Sequence, residues 1–161
     1  MTPPQQNSNV ASQQDMAVLD QVKKERGAPE RMTTEQILQK AFAGTNQNPL
    51  QFQTALAQLV KTDPNFRVAR SGNTLFMYYN KGNGHVEIMM ETADKPKDLI
   101  AALADSVKAG KVAGFKTGAF DVDNPLILKA LQMAGVKYTL QPGEGVMEDG
   151  QTPQQIAILE F

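Results

Sequence analysis

The chain has 161 residues, with 16 Lys and Arg against 17 Asp and Glu, a single His and no Cys, for a formal net charge of −1. The length suits one domain with an appended arm, and a charge near zero gives no bulk electrostatic case for nucleic acid or acidic membranes. Without Cys, and with His85 alone, disulfides, thiolate catalysis and Cys- or His-based metal centres are excluded together.

Residues 1–31 differ from the rest. The stretch TPPQQNSNVASQQ is polar and nearly free of large apolar side chains, so it cannot bury enough surface to offset its ordering entropy. Within this arm Met16, Val18, Leu19 and Val22 fall in a possible short helix ended by Gly27-Ala28-Pro29, and they are the expected partner-binding positions. MTPPQQNSN has neither the basic region nor the apolar segment of a signal peptide, and no apolar run approaches the roughly 18 residues of a membrane span. The expectation is a soluble protein not secreted by that route.

The folded part, residues 32–161, opens with Thr33 and Gln36 in capping-box spacing and an apolar stripe of Ile37, Leu38, Ala41 and Phe42, which predicts a helix over 34–43 stopped by Gly44. Asn48 and Pro49 open a second helix that Asp63-Pro64 closes. The period then changes to two. Phe66–Arg70, Thr74–Tyr79 and His85–Thr92, separated by Ser71-Gly72-Asn73 and Asn80–Gly84, predict a three-stranded antiparallel meander. Helical spacing returns from Pro96, with Leu99, Ile100, Leu103 and Val107 on one side and a stop expected at Gly110. A strand over 114–122, a helix from Pro125 to Ala134 closed by Gly135, a strand over 136–140, a long polar loop from Gln141 to Pro153 and a last strand over 154–161 complete the chain. Alternating strand and helix in the second half predicts parallel pairing there, so the sheet should be mixed.

This order of elements, with Asn124, Ile127, Leu131, Gly135 and Val136 at the matching offsets, resembles the GNAT family of acyl-CoA-dependent N-acyltransferases. The likeness covers residues 33–161 in topology but only 124–138 in motif. It implies an α/β (α+β) fold: a GNAT-like mixed, mostly antiparallel twisted sheet flanked by about four helices, with the N-terminal arm extended. Two departures stand out. Active members seat the acyl-CoA pyrophosphate on a Gly-rich turn before the third helix, whereas this chain has Glu91-Thr92-Ala93-Asp94-Lys95-Pro96-Lys97-Asp98 there, with no Gly and with Asp94 and Asp98 expected to repel phosphate. The Tyr that is a general acid in many members corresponds to Leu131, which cannot donate a proton.

Glu87 and Glu91 lie on one face of the presumed strand, two positions either side of Met89. Alternating acids of this kind ordinarily form a solvated face. His85 sits beside a turn and reads as a surface residue, and the Met77, Met89, Met90 and Met133 set reads as core filler or an adaptable contact surface. The leading expectation is therefore a non-catalytic GNAT-like pseudoenzyme without cofactor or metal. It would be a structural or assembly protein binding neighbouring protein subunits through its arm, similar to GNAT-like virion proteins of short-tailed bacteriophages, in the virion or the host cytoplasm. The alternatives are an N-acyltransferase with a diverged acetyl-CoA site, using Lys95, Lys97 and Asn124 for the cofactor and Glu87 or Glu91 as base, and a small regulatory binding module.

Overall fold

The computed structural model describes residues 31–161. Met16, Val18, Leu19 and Val22, expected to form the binding face of the arm, lie outside the described residues.

Helix α1 spans Thr34–Ala41 and begins with the capping box: the Thr33 hydroxyl accepts from the Gln36 N–H while the Gln36 side chain accepts from the Thr33 N–H. Helix α2, Pro49–Thr62, starts from Asn48, whose side chain accepts from the Gln51 N–H. Strands β1 (Phe66–Ser71), β2 (Thr74–Gly82) and β3 (His85–Thr92) form the meander. Helix α3 (Pro96–Val112), β4 (Thr117–Val122), α4 (Pro125–Met133), β5 (Tyr138–Val146) and β6 (Pro153–Glu160) follow.

The six strands make one sheet in the order β1-β2-β3-β4-β6-β5. Among the described residues its only parallel pair is β3 with β4; β6 lies antiparallel between β4 and β5. The expected parallel pairing of the second half is thus confined to one seam. The reason is that β6 occupies the place beside β4 that β5 would need for a right-handed crossover through α4.

Alternation along the strands separates two faces. Phe76, Tyr78, Val86, Ile88, Phe120, Val122, Ala157 and Leu159 point to α3 and α4, where they meet Ala102, Leu103, Ala130 and Leu131 in the main core. Leu75 and Met77 point the other way, into clusters built by Ile37 and Leu38 of α1 with its C-cap Phe42, and by Leu56 of α2. Phe52 joins these two clusters and meets the Phe42 ring edge to face at 5.1 Å. Two buried polar ties fix α3 on the sheet: Tyr78 Oη to Ser106 Oγ at 2.7 Å and Ser71 Oγ donating to Asp105 at 2.5 Å.

Several boundaries differ from expectation: α1 ends at Ala41 and β4 begins at Thr117, and two further differences have a packing reason. Helix α3 runs through Gly110 to Val112 and turns out at Gly114, whose φ is 89°. Gly110 serves packing, because a Cβ there would lie 2.9 Å from the Phe161 ring. The stretch from Gln141 to Pro153 is also not one long loop. Strand β5 continues to Val146, and an edge position with a register irregularity between Pro142 and Val146 tolerates the Pro and Gly residues that read as loop. The turn that remains is held by Asp149, which accepts from the Gln151 and Thr152 N–H groups and from the Thr152 hydroxyl, and by buried Met147. Among the described residues no helix is long and apolar enough to cross a membrane.

Candidate functional site

The site begins where β3 and β4 part. Their ladder pairs only His85–Ile88 with Thr117–Phe120, although β3 runs on to Thr92 and β4 to Val122. Continued in register, the ladder would set Glu91 directly opposite Asp123, and like charges so placed are destabilising. Pro125, which has no N–H to give, follows two residues on. The seam therefore opens. Beyond Ile88 the edge of β3 has no ladder partner on its β4 side.

A groove of about 730 Å³ occupies the opening, within the roughly 300–1,000 Å³ common for ligand sites. Leu99 and Ile100 of α3 form one wall; Leu126, Ile127, Ala130 and Met133 of α4 form the other. Met90, paired with Phe76, points to that helical side. Glu91, paired with Leu75, points to the α1 side, where Ala41 closes the lining. The lining thus draws on residues from both faces of the sheet.

Carboxylates gather at the α1 end. Asp123, at the end of β4, accepts from the Gln154 side chain at 2.6 Å, and Glu148 accepts from the Asn124 amide at 3.0 Å. The Glu148 N–H also donates to the Asp123 carbonyl at 2.8 Å, which ties the β5–β6 turn to the end of β4. Burial, then the charges of Asp123 and Glu148, push the Glu91 carboxyl up to about 7. Asp121 is raised as well, by burial and then by Asp123 and Glu87.

The residues singled out in the sequence separate here. Glu91, Lys97 and Asn124 line the groove, whereas Glu87 and Lys95 do not. Glu87 stands exposed beside Lys81, 3.9 Å from its Nζ. Asn124 is occupied as the α4 cap, accepting from the Leu126 N–H at 3.0 Å, and as the tether of Glu148. Leu131 is fully buried in the core. Asp94, expected to repel phosphate, is turned back into the β1–β2 turn, where it accepts from the Asn73 N–H at 3.0 Å and the Thr74 hydroxyl at 2.7 Å. His85 is half-buried, with Nδ1 2.7 Å from Thr117 Oγ1. Sequence reasoning missed Asp123, Lys129 and Glu148. The first was in reach, since the register of a parallel β3–β4 pair sets it against Glu91. Glu148 was hidden in what read as a loop. Among the described residues no three His, Asp or Glu side chains converge so as to hold a metal ion.

No protein-family profile and no curated protein matches the sequence. Solved structures match its shape. Ribosomal-protein-alanine N-acetyltransferase from Brucella melitensis superposes with a TM-score of 0.54 at 11% identity, over 79% of this chain and 91% of its own. The fold is GNAT-like. A chain from Chromobacterium violaceum assigned to the GNAT acetyltransferases gives 0.52 at 13% identity, over 93% of this chain and 78% of its own. Salmonella typhimurium yncA, which carries an acetyltransferase assignment and is bound to its cofactor acetyl-CoA, gives 0.52 at 13%, over 79% and 84%.

The groove fits such a cofactor in part. It offers apolar walls, an unpaired strand edge able to meet the amides of an extended chain, and two lysines, Lys97 and Lys129, on the α3–α4 side. It offers no Gly-rich turn. Pro96 stands at the first position of α3, and the N-cap Lys95 makes no side-chain cap bond.

Proposed function

We propose that the domain is an acyl-CoA-dependent N-acyltransferase with a diverged cofactor turn, in which Glu91 is the general base. The groove where β3 and β4 part supports this reading, because its lining joins residues from both faces of the sheet and includes a carboxyl pushed up to about 7. A bound acyl-CoA supplies an acyl group activated as a thioester. The apolar walls of α3 and α4 exclude water from it, and the open edge of β3 orients its amides. Ionised Glu91, on the α1 side, would accept the proton that an amine must lose to become a nucleophile, and as the new amide forms the thioester C–S bond would break and CoA would leave as its free thiol, protonated from solvent. Asp123 and Glu148 favour a cationic amine at that mouth and keep Glu91 basic. Calorimetric titration with acetyl-CoA, followed by an acetyl-transfer assay over a panel of amines, tests the reading. Micromolar binding and turnover are expected, with Glu91→Gln lowering kcat by about 10²-fold or more at unchanged acetyl-CoA affinity. Absence of acetyl-CoA binding sinks it.

A second reading, a non-catalytic component of a larger protein assembly, is favoured by the missing Gly turn and by Leu131 in place of a hydroxyl. It expects deletion of residues 1–31 to leave thermal stability nearly unchanged while weakening a large symmetric complex seen by native mass measurement or electron microscopy. A single soluble partner would instead fit a regulatory module.

A further inference from the structure

The two helices on the Leu75 side of the sheet stop short of its second half. α1 packs on β2 and β3 and α2 on β1, and neither of their apolar clusters holds a residue of β4, β5 or β6. The pairing register gives the face this leaves open. Glu87 of β3 stands beside Ala119 of β4, Ala119 beside Ile158 of β6, and Asp121 beside Ile156. Met89 follows Glu87 on the same face of β3 and is 50% exposed. Ile156 and Ile158 are half-buried, and Glu87 and Asp121 are exposed. A sheet face left to water ordinarily carries polar side chains, whereas here three large apolar ones share it with two carboxylates. None of these residues lines the groove between β3 and β4.

We propose that this open face of β3, β4 and β6 is the docking surface for a basic amphipathic helix of another protein. From β3 to β6 is two strand spacings, roughly 10 Å, about the diameter of a helix, so one helix covers all three strands. Its apolar stripe meets Met89, Ile156 and Ile158 over the flat floor that Ala119 leaves, and the cations flanking that stripe reach Glu87 and Asp121. Charge selects this partner over a second copy of the chain. Two copies joined by this face about a two-fold axis would set the same carboxylates against each other, and like charges so placed repel. Burial, then the charges of Asp123 and Glu87, already hold the Asp121 carboxyl above its usual range, and a cation beside it relieves that repulsion. Lys81 offsets Glu87 only loosely, at 3.9 Å with both side chains about half exposed. The inference is independent of the acyltransferase reading, and its test needs no acetyl-CoA.

Calorimetry on the full chain tests it with two synthetic peptides: LKKLLKLLKKLLKL, which as a helix carries one Leu stripe flanked by Lys, and LEELLELLEELLEL, the same stripe flanked by Glu. Wild type should bind the Lys peptide at least about tenfold more tightly than the Glu peptide, an advantage that shrinks as salt is raised. Glu87→Lys and Asp121→Lys should each weaken the Lys peptide about three- to tenfold and Ile158→Asp about tenfold. Asp98→Lys, an equal change of charge in the first turn of α3, should leave it near wild type. Wild type binding neither peptide, or both alike, overturns the docking surface, as does a loss in Asp98→Lys as large as in Asp121→Lys. Two further outcomes overturn it by giving the face to another occupant, each read at an unchanged melting temperature. A smaller native mass in Ile158→Asp would assign it to a second copy, and faster trypsin cleavage after Lys23, Lys24 or Arg26 in that variant would assign it to the chain's own arm.

Discussion

In the proposed acyl transfer Glu91 is the base because of what surrounds it. A carboxyl at its usual value is almost wholly ionised at neutral pH and a weak base; held at about 7 by burial and by Asp123 and Glu148, it is matched to proton transfer there. The logarithm of kcat/KM should therefore rise with pH and level off above about 7, and Glu91→Gln should remove that limb from the profile. Stability runs the opposite way. The folded state keeps the Glu91 proton to higher pH than the unfolded chain does, so the protein loses stability as pH rises from about 4.5 to about 7. Because the carboxyl is partly exposed, solvent screening holds the effect to about 1 kcal/mol. Denaturant midpoints of wild type and Glu91→Gln should coincide near pH 4 and favour the variant near pH 8. Leu131 is the converse case. It aligns with a catalytic hydroxyl by offset alone, yet it is fully buried, so Leu131→Tyr should not raise turnover and should cost roughly 1–3 kcal/mol in a denaturant melt through overpacking.

Among the elements, the helices were readable because their caps are local. Thr33, Asn48 and Asn124 each bond an N–H two or three residues ahead, and such bonds are written in adjacent residues. Gly110 and the Gln141–Pro153 stretch misled for the opposite reason. Their roles depend on the Phe161 ring and on the edge place of β5, which no local spacing records. Asn124 works at both levels. As a cap it should be worth about 1 kcal/mol, lost in Asn124→Ala. As the tether of Glu148 it places a charge beside Glu91, so Asn124→Ser should keep most of the cap and yet change the pH profile of activity. A rise of the apparent pKa or a fall would each report where Glu148 settles; no change would mean that the Glu148 N–H bond to the Asp123 carbonyl suffices.

For the molecule as a whole, the decisive feature is a sheet whose two faces are covered by different helices and joined through one gap. α1 and α2 cover the Leu75 and Met77 side, α3 and α4 the Phe76 and Tyr78 side, and the separation of β3 from β4 connects them. The sequence made the meander and the change to alternating strand and helix plain, but the place of β6 between β4 and β5 depends on a choice of neighbours that strand patterns do not encode. If donor and acceptor enter from opposite faces, obstruction of each mouth should affect one substrate alone. Leu126 is 64% exposed on the α4 wall, so Leu126→Trp can narrow the donor mouth without disturbing the core. It should raise KM for acetyl-CoA roughly tenfold and leave KM for the amine near wild type. Ala41→Phe on α1 should do the reverse, with a thermal melt to check that its cluster still packs. Equal effects of both substitutions on both substrates would mean a single shared entrance.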